Sequence, residues 1–425
     1  MSARAGIIVT GTEVLTGRVH DRNGPWLAEQ LRQLGVDVGR IIVVGDRPAD
    51  LTAALAFLVD HDLIITSGGL GPTADDLTVD VVAAHQGRML TVDQGLAGRI
   101  ESIVTRLATS RGWALTDDLA QGVTKQARVP QGAHVLEPTG TAPGLVVPSD
   151  DAPPVLVLPG PPAELQRMWP AAVADPIVTE ALRHAGEIRQ ETVRIWGPPE
   201  SELAGILGAH EVNHDMSGLE ITTCMRDGEL EVVTRFSPTA AADYAALASA
   251  LTGHFGPSAY STDGRDLDRV VADQLLAAEA TVATAESCTA GLLAGRLADL
   301  PGSSAYLMGG FVTYSNDAKT AEVGVPAALI AEVGAVSQEV ATAMAEGARR
   351  RLGTTYGLST TGVAGPGGGT PDKPVGLVHV AVAGPHRTWH RALQLGGDRG
   401  TIRRRAVVST LHLLREAQLE DMARV

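Results

Sequence analysis

The sequence is poor in cations, in aromatic side chains and in cysteine. It has 34 Lys and Arg against 49 Asp and Glu, a formal net charge of −15, and an acidic surface repels the phosphate backbone of nucleic acids. Its two cysteines, Cys224 and Cys288, are far apart, which argues against a disulfide scaffold or a cysteine-based zinc site. No stretch approaches the ~18 apolar residues of a membrane span, and the amino terminus lacks a long apolar region followed by a cleavage site. We therefore expect a cytoplasmic protein that binds neither nucleic acid nor membranes.

Aliphatic residues and glycine are abundant. Hydrophobic residues make up 44% of the 425 residues although aromatics are only 3%, so the cores must consist of Val, Leu, Ile and Ala. With 48 Gly and 24 Pro for tight turns, this composition is typical of parallel α/β sheets. A chain of this length indicates about two to three domains.

Residues 1–170 alternate β-rich runs with amphipathic helical patterns. Strands are predicted at 6–10, 36–44, 63–67 and from 155, and helices at 25–34 and 51–59. This alternation predicts a doubly wound, parallel-rich sheet, whose ligands bind beyond the carboxyl ends of the strands.

The pattern changes in residues 171–262, which predict a small α+β module with strands at 191–196, 219–226 and 230–236. Asp227-Gly228 between two of these runs is a hairpin signal. From 263 to 425 the alternation resumes, with strands at 281–285, 310–314, 355–361 and 376–383 and helices at 267–279, 289–300, 318–323, 338–352 and 401–416. The expected fold is α/β: two separate α/β domains with parallel-rich sheets, joined by the small module.

The loops of the third segment carry residues suited to chemistry. They are AESCTAG (285–291), PGSSAY (301–306), FVTYSNDAK (311–319), TTGVAGPGGG (360–369) and GGDR (396–399). Ser287 and Thr289 either cap a helix or form an anion site with its first N–H groups. Cys288 is a rival nucleophile at the same helix start, or a small buried residue.

Lys319 is a candidate general base. Asn316 or Ser315 would cap its helix, and the positive end of the helix dipole lowers the proton affinity of a lysine in the first turn. Such a lysine can accept a proton from a serine hydroxyl, while Tyr314 relays the proton or donates to an oxyanion. The alternative is a solvated lysine and a half-buried strand tyrosine. Arg399, before the last helix, could take a phosphate.

In this order, and with GAVS (334–337) and KPVG (373–376), the motifs closely resemble the C-terminal domain of the CinA family, from residue 266 to the end. Stand-alone relatives are nicotinamide-nucleotide amidases. The resemblance implies hydrolysis of nicotinamide mononucleotide to nicotinic acid mononucleotide and ammonia, without a cofactor. By similarity, Ser304 is the expected nucleophile, activated by Tyr314 and Lys319. The expected substrate-binding residues are Ser287, Thr289, Gly291, Asn316, Thr361, Gly365 and Arg399.

Two points stay open for this domain. Ala290 stands where relatives usually have a second glycine, and we expect alanine to be tolerated there because φ would be negative. Attack by an activated water, without an acyl-enzyme, is the alternative to attack by serine.

A glycine-rich loop, TSGGLGPTADDLT (66–78), follows a buried strand of the first segment. Successive glycines let backbone N–H groups wrap a phosphate, and Asp75 and Asp76 could hold a hard cation such as Mg²⁺ against it. The alternative is a helix capped by aspartate after a tight turn.

With GTEVLTGRVHDRN (11–23), VVGD (43–46), GTAPG (140–144) and LPGPP (158–162), this loop resembles the molybdopterin-binding, MoaB/MogA-like domain in its CinA version. The resemblance implies a metal-dependent pyrophosphatase acting on ADP-ribose or related dinucleotides, with Asp75 and Asp76 as metal ligands. Molybdopterin handling is the alternative. The expected nucleotide-binding residues are Glu13, Asn23, Ser67, Gly68, Gly69, Gly71, Thr73, Gly144, Pro159 and Gly160.

The module at 171–262 resembles the KH-like segment of full-length relatives. By resemblance to those relatives, we expect the protein to be a homodimer. The module lacks a clear GXXG loop with basic flanks, so we expect a spacer or dimer-building role. Two functional hypotheses result. One is a bifunctional enzyme of pyridine nucleotide recycling, and the other is a nucleotide-binding accessory factor without catalysis.

Overall fold

A computed structural model describes residues 3–112 and 117–423, which fall into two compact units, residues 1–189 and 190–425. No helix in the described ranges is long and apolar enough to cross a membrane.

The N-terminal unit alternates strands and helices, as predicted. Its strands are β1 Arg4–Thr10, β2 Asp37–Val44, β3 Leu63–Ser67, β4 Leu90–Val92, β5 Arg128–Pro130, β6 His134–Leu136, β7 Gly144–Val147 and β8 Val155–Leu158. Its helices are α1 Thr12–Leu15, α2 Asn23–Gln33, α3 Pro48–Phe57, α4 Thr78–His85, α5 Gln94–Arg111, α6 Asp117–Gln126, α7 Pro162–Val173 and α8 Pro176–Ala181.

The main sheet of this unit has the order β2-β1-β3-β8-β7-β6. β2, β1, β3 and β8 are parallel, whereas β7 and β6 are antiparallel additions. Apolar clusters cover both faces of the sheet, which explains why β3 and β8 read as continuous apolar runs. The unit continues past residue 170, because Ala172, Val178 and Leu182 around α7 and α8 pack into its core.

The second unit contains both the small module and the C-terminal α/β domain. Its strands are β9 Arg189–Trp196, β10 Leu219–Arg226, β11 Glu229–Phe236, β12 Ala259–Ser261, β13 Val282–Glu286, β14 Leu307–Val312, β15 Tyr356–Gly362, β16 Leu377–Ala383 and β17 Thr388–Gln394. Its helices are α9 Glu200–Glu211, α10 Ala241–Phe255, α11 Leu267–Ala277, α12 Leu292–Ala298, α13 Asn316–Val323, α14 Ala327–Val333, α15 Gln338–Leu352 and α16 Arg399–Met422.

Two sheets organise this unit. The module's sheet has the order β10-β11-β9-β12, and the predicted hairpin at Asp227-Gly228 is confirmed, since Arg226 pairs with Glu229 across the turn. The domain's sheet has the order β14-β13-β15-β16-β17, with β14, β13 and β15 parallel and the last two strands antiparallel. The predicted α/β class with parallel-rich sheets is therefore confirmed.

A buried polar network joins α16 to the small module. Glu229 of β11 accepts hydrogen bonds from Nε2 of His412 at 3.0 Å and from the hydroxyl of Tyr260 at 2.7 Å. The His412 ring stacks on Trp196 with centroids 4.0 Å apart. Burial lowers the pKa of His412 to about 4, so the ring is neutral at physiological pH. The module and the domain are thus packed together.

Candidate active sites

Functional side chains of the C-terminal domain gather where three parallel strands end. β14, β13 and β15 run in the same direction, so the segments that follow them meet at one edge of the sheet. These segments are residues 287–291, 313–315 and 363–369. The start of α16 lies beside them, because Nη1 of Arg399 donates to the carbonyl of Gly365 at 2.8 Å. We call this edge the C-terminal site.

A buried carboxylate fixes the loop that follows β13. Glu286, the last residue of the strand, is only 1% exposed. It accepts hydrogen bonds from the Thr289 hydroxyl (2.6 Å) and from the N–H groups of Gly291 (2.9 Å), Leu293 (3.0 Å) and Ala294 (2.8 Å). The carboxylate thereby satisfies the unpaired N–H groups at the start of α12, as an N-cap side chain would.

The hydrogen bonds of Glu286 correct two expectations from the sequence. The helix predicted from Thr289 begins at Leu292, because residues 287–291 form a turn around the carboxylate. Thr289, predicted to bind substrate, is fully buried and bonds Glu286 and Thr360 instead. The Gly291 N–H, also predicted to contact substrate, donates to Glu286. Sequence reasoning missed Glu286, although a carboxylate at a strand-to-helix junction is a signal for such a cap.

Lys319 and Ser287 form a close pair. Lys319 is 1% exposed, and its Nζ lies 3.1 Å from Oγ of Ser287. Nζ also contacts the carbonyl oxygens of Thr313 at 2.9 Å and Tyr314 at 3.4 Å. Burial lowers the pKa of Lys319, which favours the neutral amine that a general base needs. The expected direction of the shift holds, but its main cause is burial rather than the helix dipole.

The predicted pairing of Ser304 with Lys319 is corrected by this geometry. Ser304 is exposed in a short 3₁₀ helix, Ser303–Ala305, before β14. Within residues 3–112 and 117–423, the hydrogen-bond partners of Lys319 Nζ are Ser287, Thr313 and Tyr314, and Ser304 is not among them. Sequence order could not decide between the two serines, because strand pairing determines which loop meets Lys319.

Tyr314 does not stand between the serine and the lysine. Its hydroxyl accepts a hydrogen bond from Nη2 of Arg399 at 2.9 Å, and only its backbone carbonyl contacts Lys319. The predicted proton relay through the Tyr314 hydroxyl is therefore corrected. With Arg399 also bonded to Gly365, these three predicted residues form one wall of the C-terminal site.

Two further predicted ligands lie in different settings. Thr361 is 1% exposed and its hydroxyl donates to the carbonyl of Ala335 at 2.8 Å, which ties β15 to the segment before α15. Asn316 is exposed at the first position of α13, and Ser315 is the N-cap, accepting from the N–H of Ala318. Asn316 therefore stays a prediction as a substrate ligand.

Cys288 is unsuited to be the nucleophile. Its side chain is buried, and burial raises the pKa of the thiol to about 11, so the reactive thiolate is disfavoured near neutral pH. The interpretation of Cys288 as a small buried residue is favoured.

Ala290 has a left-handed backbone. Its φ is +50°, whereas we expected a negative value at this departure from the glycine of relatives. The left-handed region costs an L-residue about 1 kcal/mol or more, so alanine is held here under strain. The strain lies three residues after Ser287, in the loop held by Glu286.

The N-terminal unit has a cavity of about 630 Å³ at the carboxyl ends of β1, β3 and β8. Most of the predicted nucleotide-binding and metal-binding residues line it, and they lie far apart in sequence. These are Glu13, Asn23, Ser67, Gly68, Gly69, Gly71, Thr73, Asp75, Asp76, Pro159 and Gly160. Asn23 links the loops, donating from Nδ2 to Oγ of Ser67 at 2.8 Å and to the carbonyl of Gly160 at 2.6 Å.

Asp75 and Asp76 share a partner on this wall. The hydroxyl of Thr73 lies 2.5 Å from a carboxylate oxygen of each, and the Thr73 N–H donates to Asp76 at 3.0 Å. The hydrogen bond from Thr73 lowers the pKa of Asp75. No group of three or more His, Cys, Asp or Glu side chains in the described ranges is arranged to hold a metal by itself. Two carboxylates do fit Mg²⁺ that completes its shell with phosphate oxygens and water.

Gly144 does not belong to this cavity, which corrects its prediction as a nucleotide ligand. It is the first residue of β7, where a Cβ would come within 2.3 Å of Sδ of Met168 and 3.1 Å of the carbonyl oxygen of Val157. Gly144 therefore serves close packing between β7 and α7. Sequence reasoning missed Glu164, which lines the cavity from α7, and burial raises the pKa of its carboxyl.

Two known protein families match the two α/β parts of the chain. Residues 6–182 match a family described as "Probable molybdopterin binding domain", and residues 264–418 match one described as "CinA C-terminal domain". A CinA-like protein of Mycobacterium marinum is 53% identical over 427 residues, covering 99% of this chain and 100% of the relative. The chain belongs to the CinA family. A second CinA-like protein, from Mycobacterium tuberculosis, is 51% identical over 98% of this chain and 97% of its own.

Solved structures include similar CinA proteins. The competence/damage inducible protein CihA of Agrobacterium tumefaciens is 42% identical, covering 35% of this chain and 91% of its own, with a TM-score of 0.34. A CinA protein of unknown function from Thermoplasma acidophilum is 33% identical, covering 40% and 95%, with a TM-score of 0.34. The resemblance to the CinA family is confirmed by the full-length relatives.

Ala290→Gly should stabilise this CinA protein. Glycine adopts a positive φ without steric cost, so the free energy of unfolding of the second unit should rise by about 1 kcal/mol. Urea unfolding followed by circular dichroism checks this. The control is Ala298→Gly at the exposed end of α12, which should lower stability by about 0.5–1 kcal/mol. Equal losses in both variants would contradict the strain at Ala290.

Proposed function

We propose that the C-terminal domain hydrolyses the carboxamide of nicotinamide mononucleotide, with Ser287 as nucleophile and Lys319 as general base. The observation that carries this proposal is the distance of 3.1 Å between Nζ of the buried Lys319 and Oγ of Ser287. A serine and a lysine of lowered proton affinity, within hydrogen-bond reach, are a recurring arrangement for acyl transfer.

The surroundings of Lys319 suit it to accept a proton from Ser287. A neutral amine has two N–H donors and one lone pair. The carbonyls of Thr313 and Tyr314 can take the two donors, which leaves the lone pair for the Ser287 hydroxyl. The two carbonyls thus orient the base as well as hold it.

The reaction then proceeds in two balanced steps. Oγ of Ser287 attacks the carboxamide carbon, and Lys319 takes the hydroxyl proton. The carbon–nitrogen bond breaks, and the proton passes to the leaving nitrogen, which departs as ammonia. Water attacks the resulting ester, and Lys319 takes a proton from it. Cleavage of the ester bond releases nicotinic acid mononucleotide and returns a proton to Ser287.

Arg399 is the proposed phosphate ligand. It stands at the first position of α16, where the helix dipole also favours an anion, and its guanidinium already crosses the site between Gly365 and Tyr314. A phosphate would compete with the Tyr314 hydroxyl for Nη2, which ties substrate binding to the position of this tyrosine.

Ser287→Ala should abolish ammonia release from nicotinamide mononucleotide, because no other group in this scheme can form the acyl-enzyme. We expect a loss of roughly 10⁴-fold or more in kcat, measured by a coupled ammonia assay. Ser304→Ala is the matched control and should retain activity. Retention by Ser287→Ala with loss in Ser304→Ala would restore the pairing expected from sequence.

The dependence of kcat on pH should reveal the protonation state of Lys319. Only neutral Lys319 accepts the serine proton, so kcat should rise with pH and level off as the lysine deprotonates. Because burial lowers the pKa of Lys319, the rise should occur at lower pH than for an ordinary lysine. Stopped assays from about pH 6 to about pH 10 check this. Lys319→Arg cannot deprotonate and should be inactive throughout; retained activity in this variant would exclude Lys319 as base.

A second activity is favoured by the N-terminal cavity. We propose that it hydrolyses the pyrophosphate of ADP-ribose or a related dinucleotide, with Asp75 and Asp76 as ligands for a divalent metal. The support is that the glycines of a loop suited to phosphate and both carboxylates line one cavity. The metal would supply charge neutralisation at the phosphates. Glu13 or Glu164, which also line the cavity, are suited to orient the attacking water. Molybdopterin binding is the alternative for this cavity.

The double variant Asp75→Asn/Asp76→Asn should lose about 100-fold or more of any ADP-ribose hydrolysis, because neutral amides bind a hard cation poorly. The release of AMP in a Mg²⁺ titration measures this. Asp150→Asn, whose exposed carboxylate pairs with Arg88 outside the cavity, should behave as wild type. An unchanged rate in the double variant would remove Asp75 and Asp76 from the site.

A further inference from the structure

The loop after Ser287 is held from a second side by an arginine of α16. Nε of Arg403 donates to the carbonyl of Cys288 at 3.0 Å, and Nη2 donates to the carbonyl of Thr289 at 2.7 Å. One guanidinium therefore holds two successive peptide groups. Sequence reasoning did not single out Arg403, because RRR at 403–405 reads as a charged helix face.

The geometry of the peptide bond gives these contacts a consequence. In a trans peptide, the carbonyl and the following N–H point in opposite directions. Fixing the carbonyls of Cys288 and Thr289 toward Arg403 turns the N–H groups of Thr289 and Ala290 away from α16. Ala290 is exposed whereas Thr289 is fully buried, so the N–H group of Ala290 is the one of the two that a ligand can reach.

The N–H group of Ala290 is free to act. In the part of the chain that the structure describes, it donates to no protein acceptor, whereas the N–H groups of Gly291, Leu293 and Ala294 all serve Glu286. The left-handed φ of Ala290 belongs to the same turn. Backbone strain of this kind is found in functional loops where it positions a group that binds a ligand.

We infer that Arg403 is a positioning residue that aims the N–H group of Ala290 at the oxyanion formed when Ser287 attacks a carbonyl. The inference rests on the proposed acyl transfer but not on the identity of its substrate. Arg403 itself contacts protein carbonyls, and so differs in role from Arg399 at the start of the same helix.

The inference makes a kinetic prediction. Loss of an oxyanion donor typically lowers kcat by about 10²–10³-fold, so Arg403→Ala should lower kcat about 100-fold and change KM for nicotinamide mononucleotide less than about threefold. Arg403→Lys offers one ammonium group in place of a guanidinium that reaches both carbonyls. The kcat of this variant should therefore lie between those of the wild type and Arg403→Ala. Arg404→Ala is the control, since Arg404 bonds the Thr401 hydroxyl instead.

Acetylation of Ser287 by 4-nitrophenyl acetate separates the possible roles, because this ester has no phosphate. Under our inference the rate per titrated Ser287 falls in Arg403→Ala by about the same factor as kcat. A raised KM with unchanged acetylation would make Arg403 a phosphate ligand, and a lower melting temperature with unchanged rates per site would make it structural. Either result overturns the inference. If Arg403→Ala does not fold, the same comparison is made with Arg403→Lys.

The same experiment distinguishes this inference from the proposed amidase. Wild-type protein that is acetylated at Ser287 in an Arg403-dependent manner, but releases no ammonia, would overturn the substrate and keep the positioning role. Wild-type Ser287 that reacts with neither compound would overturn both.

Discussion

The hydrogen bonds of the buried Glu286 carboxylate are the constraint on which the C-terminal site depends. A buried charge costs several kcal/mol unless it is fully hydrogen-bonded, and Glu286 obtains its donors from one turn and one helix start. Those bonds cannot form unless residues 287–291 adopt a single path. The path puts the Ser287 hydroxyl next to Lys319 and keeps Cys288 and Thr289 inside. A buried anion thus organises a site for which we propose an anionic substrate.

Sequence reasoning predicted the parts of the fold that follow from strong periodicity. The buried runs at β3 and β8 and the Asp227-Gly228 hairpin are in the structure where local patterns predicted them. It did not predict β17, because TWHRALQ has no clean alternation and gains its strand only by pairing with β16. Nor did it predict the long helix α5, whose sequence has a weakly apolar face.

For the sites, the sequence predicted which loops carry reactive side chains better than it predicted which of those side chains contact each other. The motifs indicated which loops matter, and at the N-terminal cavity they assembled almost as predicted, because successive parallel strands must end together. The choice between Ser287 and Ser304 required the sheet order, and the packing role of Gly144 required knowing that Met168 lies against it. Ala290 could not have been assessed either, since its left-handed φ occurs in a turn that is bonded to Arg403, which is distant in sequence.

Helix α16 has a consequence for how such chains can be shortened. This one helix carries Arg399 and Arg403 at the C-terminal site and, about two to three turns further on, His412. The His412 ring contacts Trp196 and Glu229 of the small module. Cutting the chain at residue 263 would expose one face of this helix and remove the acceptor of a neutral, buried imidazole. A free-standing version of this CinA C-terminal domain would therefore need polar residues on the face of the last helix that the small module covers.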